Sequence, residues 1–390
     1  MIRRRRSCLC YFMAIFVSVA VFYVYYFILL KVPAEDNQQV ILPMKRLEDM
    51  HFTKVRPTKA AGNLTQKGTT VEALEVNADG SEEVLDAEGN PIPDPELRKE
   101  FKRITAKVPN TFLPEFKNPC WLDAKDELNC LPYFYLIGMS KCGTTDLWKK
   151  LTSHPDIVDV PKEPHWWGPR RTGWTGIAAH GQEGDGSIST AYSIGNAWLK
   201  TNAGATDPPY TNAELLHAIQ PKAKIIIIVR NPTERARSWY FYTHPLTTPD
   251  DWHVSAMTSI ECYNSCMKEH NERYCAYSFG CPYTPFQGIN VGLYHIFLYD
   301  WINAYTREGV LVLRLEDWHA DQVSVYRTIL EFLELRPLTP EEEAKALSTR
   351  WVQASNKVAQ SKTKKALDDF YRPHNQKLAE LLQSDIYLYP

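Results

Sequence analysis

The 390-residue chain has no internal repeat, no pair of CxxC knuckles and almost no net charge, −2 at neutral pH. Each absence removes a class of protein. Without a repeat there is no solenoid or propeller period to extend. Without CxxC pairs no zinc ribbon is specified. Without a basic excess nothing draws the chain to nucleic acid. A fourth absence is local: no charged side chain occurs from Cys8 to Leu30. That run is long enough to span a bilayer as a helix.

Arg3–Arg6 precede this run. Positive charge stays on the cytosolic side, so residues 1–7 read as a cytosolic tail and 8–30 as a single-pass type II signal-anchor. A cleaved signal peptide is the competing reading; it would need a shorter apolar core and force Val32-Pro33-Ala34 into a cleavage site. The bulk of the chain then lies in a lumen. Setting aside Arg3–Arg6, 40 basic residues face 46 acidic ones. An acidic polymer would therefore need a local basic groove.

Nine cysteines are present. Cys8 and Cys10 edge the anchor, where palmitoylation is open to them. Cys120 and Cys130 flank a short loop, and Cys262, Cys266, Cys275 and Cys281 form a cluster whose spacing favours disulfides over zinc in an oxidising lumen, with three connectivities open. Cys142 is the odd one out.

Residues 31–108 read as a flexible stem, with scattered charge and no sustained apolar period. Asn63-Leu64-Thr65 is a usable glycosylation sequon, whereas Asn231-Pro232-Thr233 is blocked by its proline. The compact part is expected over 109–390. Strands are expected at about 133–137, at Ala223–Val229 and at Val310–Leu315. Helices are expected at about 143–152, 212–220, 232–242, 291–306 and 323–334. Another opens at the capping box Thr339–Glu342, and a last one over 363–383 is interrupted at Pro373. Residues 244–289 read as an irregular insertion holding the cysteine cluster. Strands alternating with helices, and the all-apolar run Ile225–Val229, point to a three-layer α/β fold around a central parallel sheet.

Tyr133–Thr145, YFYLIGMSKCGTT, runs from an apolar strand into a glycine-bounded loop and then a helix. A strand, a loop and a helix N-terminus make a phosphate cradle, and Lys141 adds a full charge. Gly138 and Gly143 have P-loop spacing, yet the lysine precedes the second glycine and Thr144-Thr145 follow it. That pattern disfavours a nucleotide kinase, which places its lysine directly after that glycine. A second anion site is implied where Arg230 leaves the strand Ile225–Val229 and Ser238 follows eight residues later in the helix.

The pair SKCGTT and VRNPTERARSWY resembles the 5′-phosphosulfate and 3′-phosphate motifs of Golgi carbohydrate sulfotransferases, and the similarity runs over roughly 109–390. The resemblance implies a P-loop-like sulfotransferase fold and the donor 3′-phosphoadenosine 5′-phosphosulfate (PAPS). It implies donor binding by Lys141, Cys142, Gly143, Thr144, Thr145, Arg230 and Ser238, with Lys357 in a loop that closes over the nucleotide. Related enzymes carry Lys-Gly-Arg there, and this chain does not. In the stretch VPKEPHWW the resemblance makes Glu163 the catalytic base, with His165 its rival, and Lys141 the group that stabilises the leaving phosphate. No metal is expected. Trp166, Trp167, Trp174 and Trp198 are candidates to stack on sugar, and Lys162, Arg170 and Arg171 to meet acidic groups of the acceptor. Tyr294, in Gly292-Leu293-Tyr294, sits at a family position near the donor.

The expected activity is sulfuryl transfer to a glycosaminoglycan hydroxyl, the 6-OH of GalNAc (4-sulfate) in chondroitin or dermatan, in the Golgi membrane with the catalytic part lumenal. Sulfation of another glycan such as heparan sulfate, and a catalytically silent glycan-binding protein of the same fold, are the alternatives. Homo-oligomerisation is left open.

Overall fold

A computed structural model describes residues 84–109, 111–160, 162–163, 167, 184–193, 205–278, 288–348 and 361–389. The expected anchor, most of the stem, His165, Trp166, Arg170, Arg171, Trp174, Trp198, Cys281 and Lys357 lie outside these. Among the described residues no helix is long and apolar enough to cross a membrane.

The centre is a parallel sheet of four strands, β3 (Phe134–Gly138), β4 (Gly184–Asp185), β5 (Lys224–Val229) and β6 (Val310–Arg314), ordered β4-β3-β5-β6. Every residue of β3 is buried, as are the five from Ile225 to Val229. Strands covered on both faces read as unbroken apolar runs, which is why β3 and β5 are visible in the sequence and the short edge strand β4 is not. Register pairs Tyr135 with Ile225 and Ile225 with Val310. The carboxyl ends of β3, β5 and β6 therefore finish on one edge of the sheet, where ligands of open α/β sheets bind.

Helices return the chain between strands. α2 (Thr144–Leu151) follows β3, α4 (Pro232–Thr243) follows β5, and α8 (Leu315–Ala320) follows β6. α3 (Asn212–Ile219) and α7 (Tyr294–Gly309, broken at Thr306) pack together and deliver β5 and β6. α9 (Gln322–Phe332) and α10 (Pro340–Leu347) follow. The expected capping box at α10 forms, with Thr339 and Glu342 each accepting from the other's backbone N–H. A small antiparallel pair, β1 (Cys120–Leu122) and β2 (Leu128–Cys130), is closed by the Cys120–Cys130 disulfide.

Three expectations are corrected. Residues 84–108, expected to be stem, are packed: α1 (Pro95–Thr105) buries Leu97, Phe101 and Ile104 and lies on α3. The 244–289 insertion is helical over much of its length, in α5 (Pro249–Cys266) and α6 (Glu272–Tyr277), joined by the Cys266–Cys275 disulfide. Cys262 is also disulfide-bonded. Pro373 does not interrupt the last helix, which runs unbroken as α11 (Ser361–Leu382). Burial of Leu367, Tyr371, His374 and Leu378 along one stripe holds it together across the missing N–H.

Candidate functional site

The loop between β3 and α2 is shaped by two backbone positions. Lys141 has φ +66° and Gly143 φ +81°, both left-handed. Glycine takes that conformation freely, and a Cβ on Gly143 would also stand 2.5 Å from Leu315 Cδ1. The loop is tied back to the sheet by Met139 N–H donating to the Ile228 carbonyl at 2.7 Å. It thus ends at the N-terminus of α2, where unpaired N–H groups and the helix dipole favour an anion. Thr144 is buried, Thr145 exposed and Cys142 fully buried.

Arg230 leaves β5 on the same edge, and its guanidinium donates to the Lys141 carbonyl at 3.2 Å. Glu234, one turn on in α4, is held by Arg237 at 2.9 Å. Ser238 sits half-buried in α4, seven residues into the helix. Tyr294, at the start of α7, closes the back of the loop. Its hydroxyl donates to the Arg230 carbonyl at 3.0 Å and lies 3.8 Å from Cys142 Sγ. Burial pushes the Cys142 thiol up to about 11, so it is a neutral packing group.

The electrostatics are lopsided. Burial pulls the Lys141 ammonium below its ordinary value, the like charges of Lys162 and Arg230 pull it further, and Glu163 opposes them. Arg235, in the middle of the second motif, is completely buried and its guanidinium nitrogens find no hydrogen-bond partner among the described residues. It adds positive potential behind the loop, on Cys142, Tyr192, Tyr294 and Tyr371.

Glu163 forms an ion pair with Lys162. The stem of Lys162 lies against Gly186, just past β4, where an added Cβ would come within 3.1 Å of it. Val160 accepts from Trp148 Nε1 of α2 at 3.3 Å. These contacts hold the Lys162–Glu163 segment beside α2, within electrostatic reach of Lys141. Trp167 is buried against Tyr135 and is core rather than a sugar platform.

Sequence reasoning missed several members of this surround. The exposed ring of Tyr242, on α4, lies 3.6 Å from the Lys141 ammonium. Asp146 and Lys150 form a buried pair at 2.6 Å, and Trp318 Nε1 donates to the same carboxylate at 2.8 Å, clamping α2 to α8. The spacing of Asp146 and Lys150 is an ordinary helical i,i+4 pair, so nothing in sequence separates it from a surface pair. Nor is any metal cluster legible in the sequence, yet the fold gathers Glu272, His295 and His374.

With the geometry established, comparison with known proteins adds the family. The model of the sulfotransferase domain matches residues 132–378. The chain belongs to the sulfotransferase family. This sulfotransferase is 29% identical over 391 aligned residues to human carbohydrate sulfotransferase 15, covering 76% of this chain and 69% of that protein. It is 24% identical to mouse heparan sulfate glucosamine 3-O-sulfotransferase 3B1, over 65% of this chain and 64% of that one. A solved sulfotransferase from Alicyclobacillus acidocaldarius is 21% identical with a TM-score of 0.44, covering 65% of this chain and 97% of that one. The family match spans both motifs and ends within α11, so the chain is a sulfotransferase.

Proposed function

We propose that this sulfotransferase transfers the sulfuryl group of PAPS to the 6-OH of GalNAc 4-sulfate in chondroitin or dermatan sulfate. Membrane attachment is assigned to residues 8–30 and the catalytic part to the Golgi lumen. The observation that carries the chemistry is the positive cradle of Lys141, Arg230 and buried Arg235 at the sheet's carboxyl edge, with the Glu163 carboxylate beside it. Likeness to carbohydrate sulfotransferase 15 supports the acceptor. The Cys120–Cys130 and Cys266–Cys275 disulfides support an oxidising lumen.

In the proposed reaction the 5′-phosphosulfate occupies the N-terminus of α2, with Cys142, Gly143, Thr144 and Thr145 offering backbone or hydroxyl donors. Arg230 and Ser238 take the 3′-phosphate. Glu163 removes the acceptor hydroxyl's proton as that oxygen attacks sulfur in line. The S–O bond to the phosphate breaks, and Lys141 stabilises the negative charge that develops on the bridging oxygen. Lys162 holds the Glu163 carboxylate in place through their ion pair until the acceptor enters. His165 remains the rival base and Lys357 the proposed contact on the nucleotide.

The test is sulfate transfer from radiolabelled PAPS by the full chain, with chondroitin, dermatan, heparan and keratan acceptors and disaccharide analysis of the product. We expect 6-O-sulfated GalNAc, lost in Lys141→Ala and Glu163→Gln. Labelling of heparan alone would transfer the assignment to that glycan. Donor binding with no labelled acceptor would make the protein a silent glycan binder.

A further inference from the structure

Glu272, His295 and His374 come from three separate elements, α6, α7 and α11, and meet at one point. His374 Nδ1 lies 3.0 Å and His295 Nε2 3.4 Å from the same oxygen, Glu272 Oε1. One ligand atom from each residue falls within 4.8 Å of the others. The histidines are 9% and 8% exposed. Yet His374 Nδ1 and both ring nitrogens of His295 lack a properly aligned hydrogen bond. Buried polar atoms normally find one. Close approach without alignment is the arrangement of ligands around a shared centre, for which donors about 2.1 Å from an ion stand about 3.4 Å apart.

The surroundings are built for this. Lys377 donates to the other carboxylate oxygen, Oε2, at 2.6 Å, leaving Oε1 to the histidines. His374 is wedged against the rings of Tyr263 and Phe370, at centroid distances of 5.8 and 5.3 Å. Glu272 and His295 also line a surface pocket of 410 Å³, which gives a fourth ligand such as water a way in. Two imidazoles and one carboxylate are ligands that zinc takes, with a water able to complete the tetrahedron.

We propose that Glu272, His295 and His374 bind a zinc ion that fastens the disulfide-bearing α5–α6 insertion and the C-terminal helix to the start of α7. Its role is structural. Tyr294, whose hydroxyl braces the donor loop, is the neighbour of His295, so the ion fixes the helix end that carries this brace.

The full chain, purified without a histidine tag, is expected to carry about one zinc per chain by elemental analysis. Chelation should lower Tm by roughly 4 °C or more, zinc chloride should restore it, and cobalt chloride should give visible ligand-field bands. The His295→Gln/His374→Gln double variant should lose the zinc and the bands while its far-ultraviolet circular dichroism is kept. Should that variant not fold, Glu272→Gln, which preserves shape and an acceptor for Lys377, should weaken zinc binding at least about 100-fold. A folded wild-type chain that holds no zinc and shows no thermal response to zinc chloride overturns the proposal. So does zinc retained in the double variant, or unchanged affinity in Glu272→Gln.

Discussion

At the residue scale, Lys141 concentrates the chemistry because its surroundings are already positive. Its pKa is lowered, first by burial and then by Lys162 and Arg230. A cation that must be protonated to meet the leaving phosphate fails as pH rises through its pKa. Activity and donor affinity should therefore fall on an alkaline limb below 10.5, the ordinary lysine value. A bound phosphosulfate favours the ammonium, so the limb measured on kcat should lie above that on kcat/KM. Equal limbs would show that Lys141 does not meet the donor. Lys141→Ala should cost about 10²–10³-fold in kcat, the usual loss for one preorganised electrostatic group. Cys142 offers the contrasting case: its thiol is pushed up to about 11 and buried. Native protein treated with iodoacetamide should keep both its activity and an unlabelled Cys142 by mass spectrometry, with labelling only after unfolding. Lys141 and Arg230 were legible because each follows an apolar strand at a fixed offset. Arg235 and Tyr242 were not. Their roles depend on which side of α4 faces the loop, which the motif does not encode.

At the scale of elements, α2 is where donor binding and stability meet. Gly143→Ala adds a Cβ 2.5 Å from Leu315 and imposes a left-handed φ on alanine. Donor binding by calorimetry should be lost while most of the fold survives, because the strain is confined to one turn. Asp146→Ala should act on stability, leaving Lys150 charged and buried against Trp318 at a cost of about 3–5 kcal/mol in denaturant unfolding. A loss under 1 kcal/mol would mean water reaches that pair. The same scale shows where sequence reading stops. β3, β5, β6 and the box at Thr339 were visible because aliphatic runs and Thr-x-x-Glu are unambiguous, whereas the two-residue β4, Gly184–Asp185, carries no such run. α5 was not, although Trp252, Ala256, Ser259 and Tyr263 follow one another at helical spacing on its buried face. Two of the four are small and two are aromatics with polar atoms, so the stripe carries little hydrophobic contrast. Its cap pairs Thr248 with an aspartate, Asp251, instead of the more recognisable glutamate.

At the scale of the whole molecule, the boundary of the folded part decides what can be produced and assayed. Low apolar density and scattered charge made residues 31–108 read as spacer. Yet α1 is capped by Asp94, which accepts from Leu97 N–H at 2.7 Å, and turns Leu97, Phe101 and Ile104 inward. Ala87 N–H donates to the Ala218 carbonyl at 2.8 Å, so residues ahead of α1 satisfy an acceptor in the last turn of α3. Leu97, Phe101 and Ile104 stand at helical spacing behind Asp94-Pro95, so this helix was legible in the sequence and was overlooked among the surrounding charge. A lumenal fragment beginning at residue 109 exposes the α3 surface that α1 covers, each lost apolar side chain being worth about 1.5–3 kcal/mol of burial. Against a fragment beginning at residue 84, it should melt at least about 4 °C lower and aggregate sooner on heating. Donor affinity should be equal at low temperature, because α1 packs chiefly on α3, which is not part of the donor loop. Identical melting of the two fragments would show that α1 docks without adding stability, and would return residues 84–108 to the role of spacer.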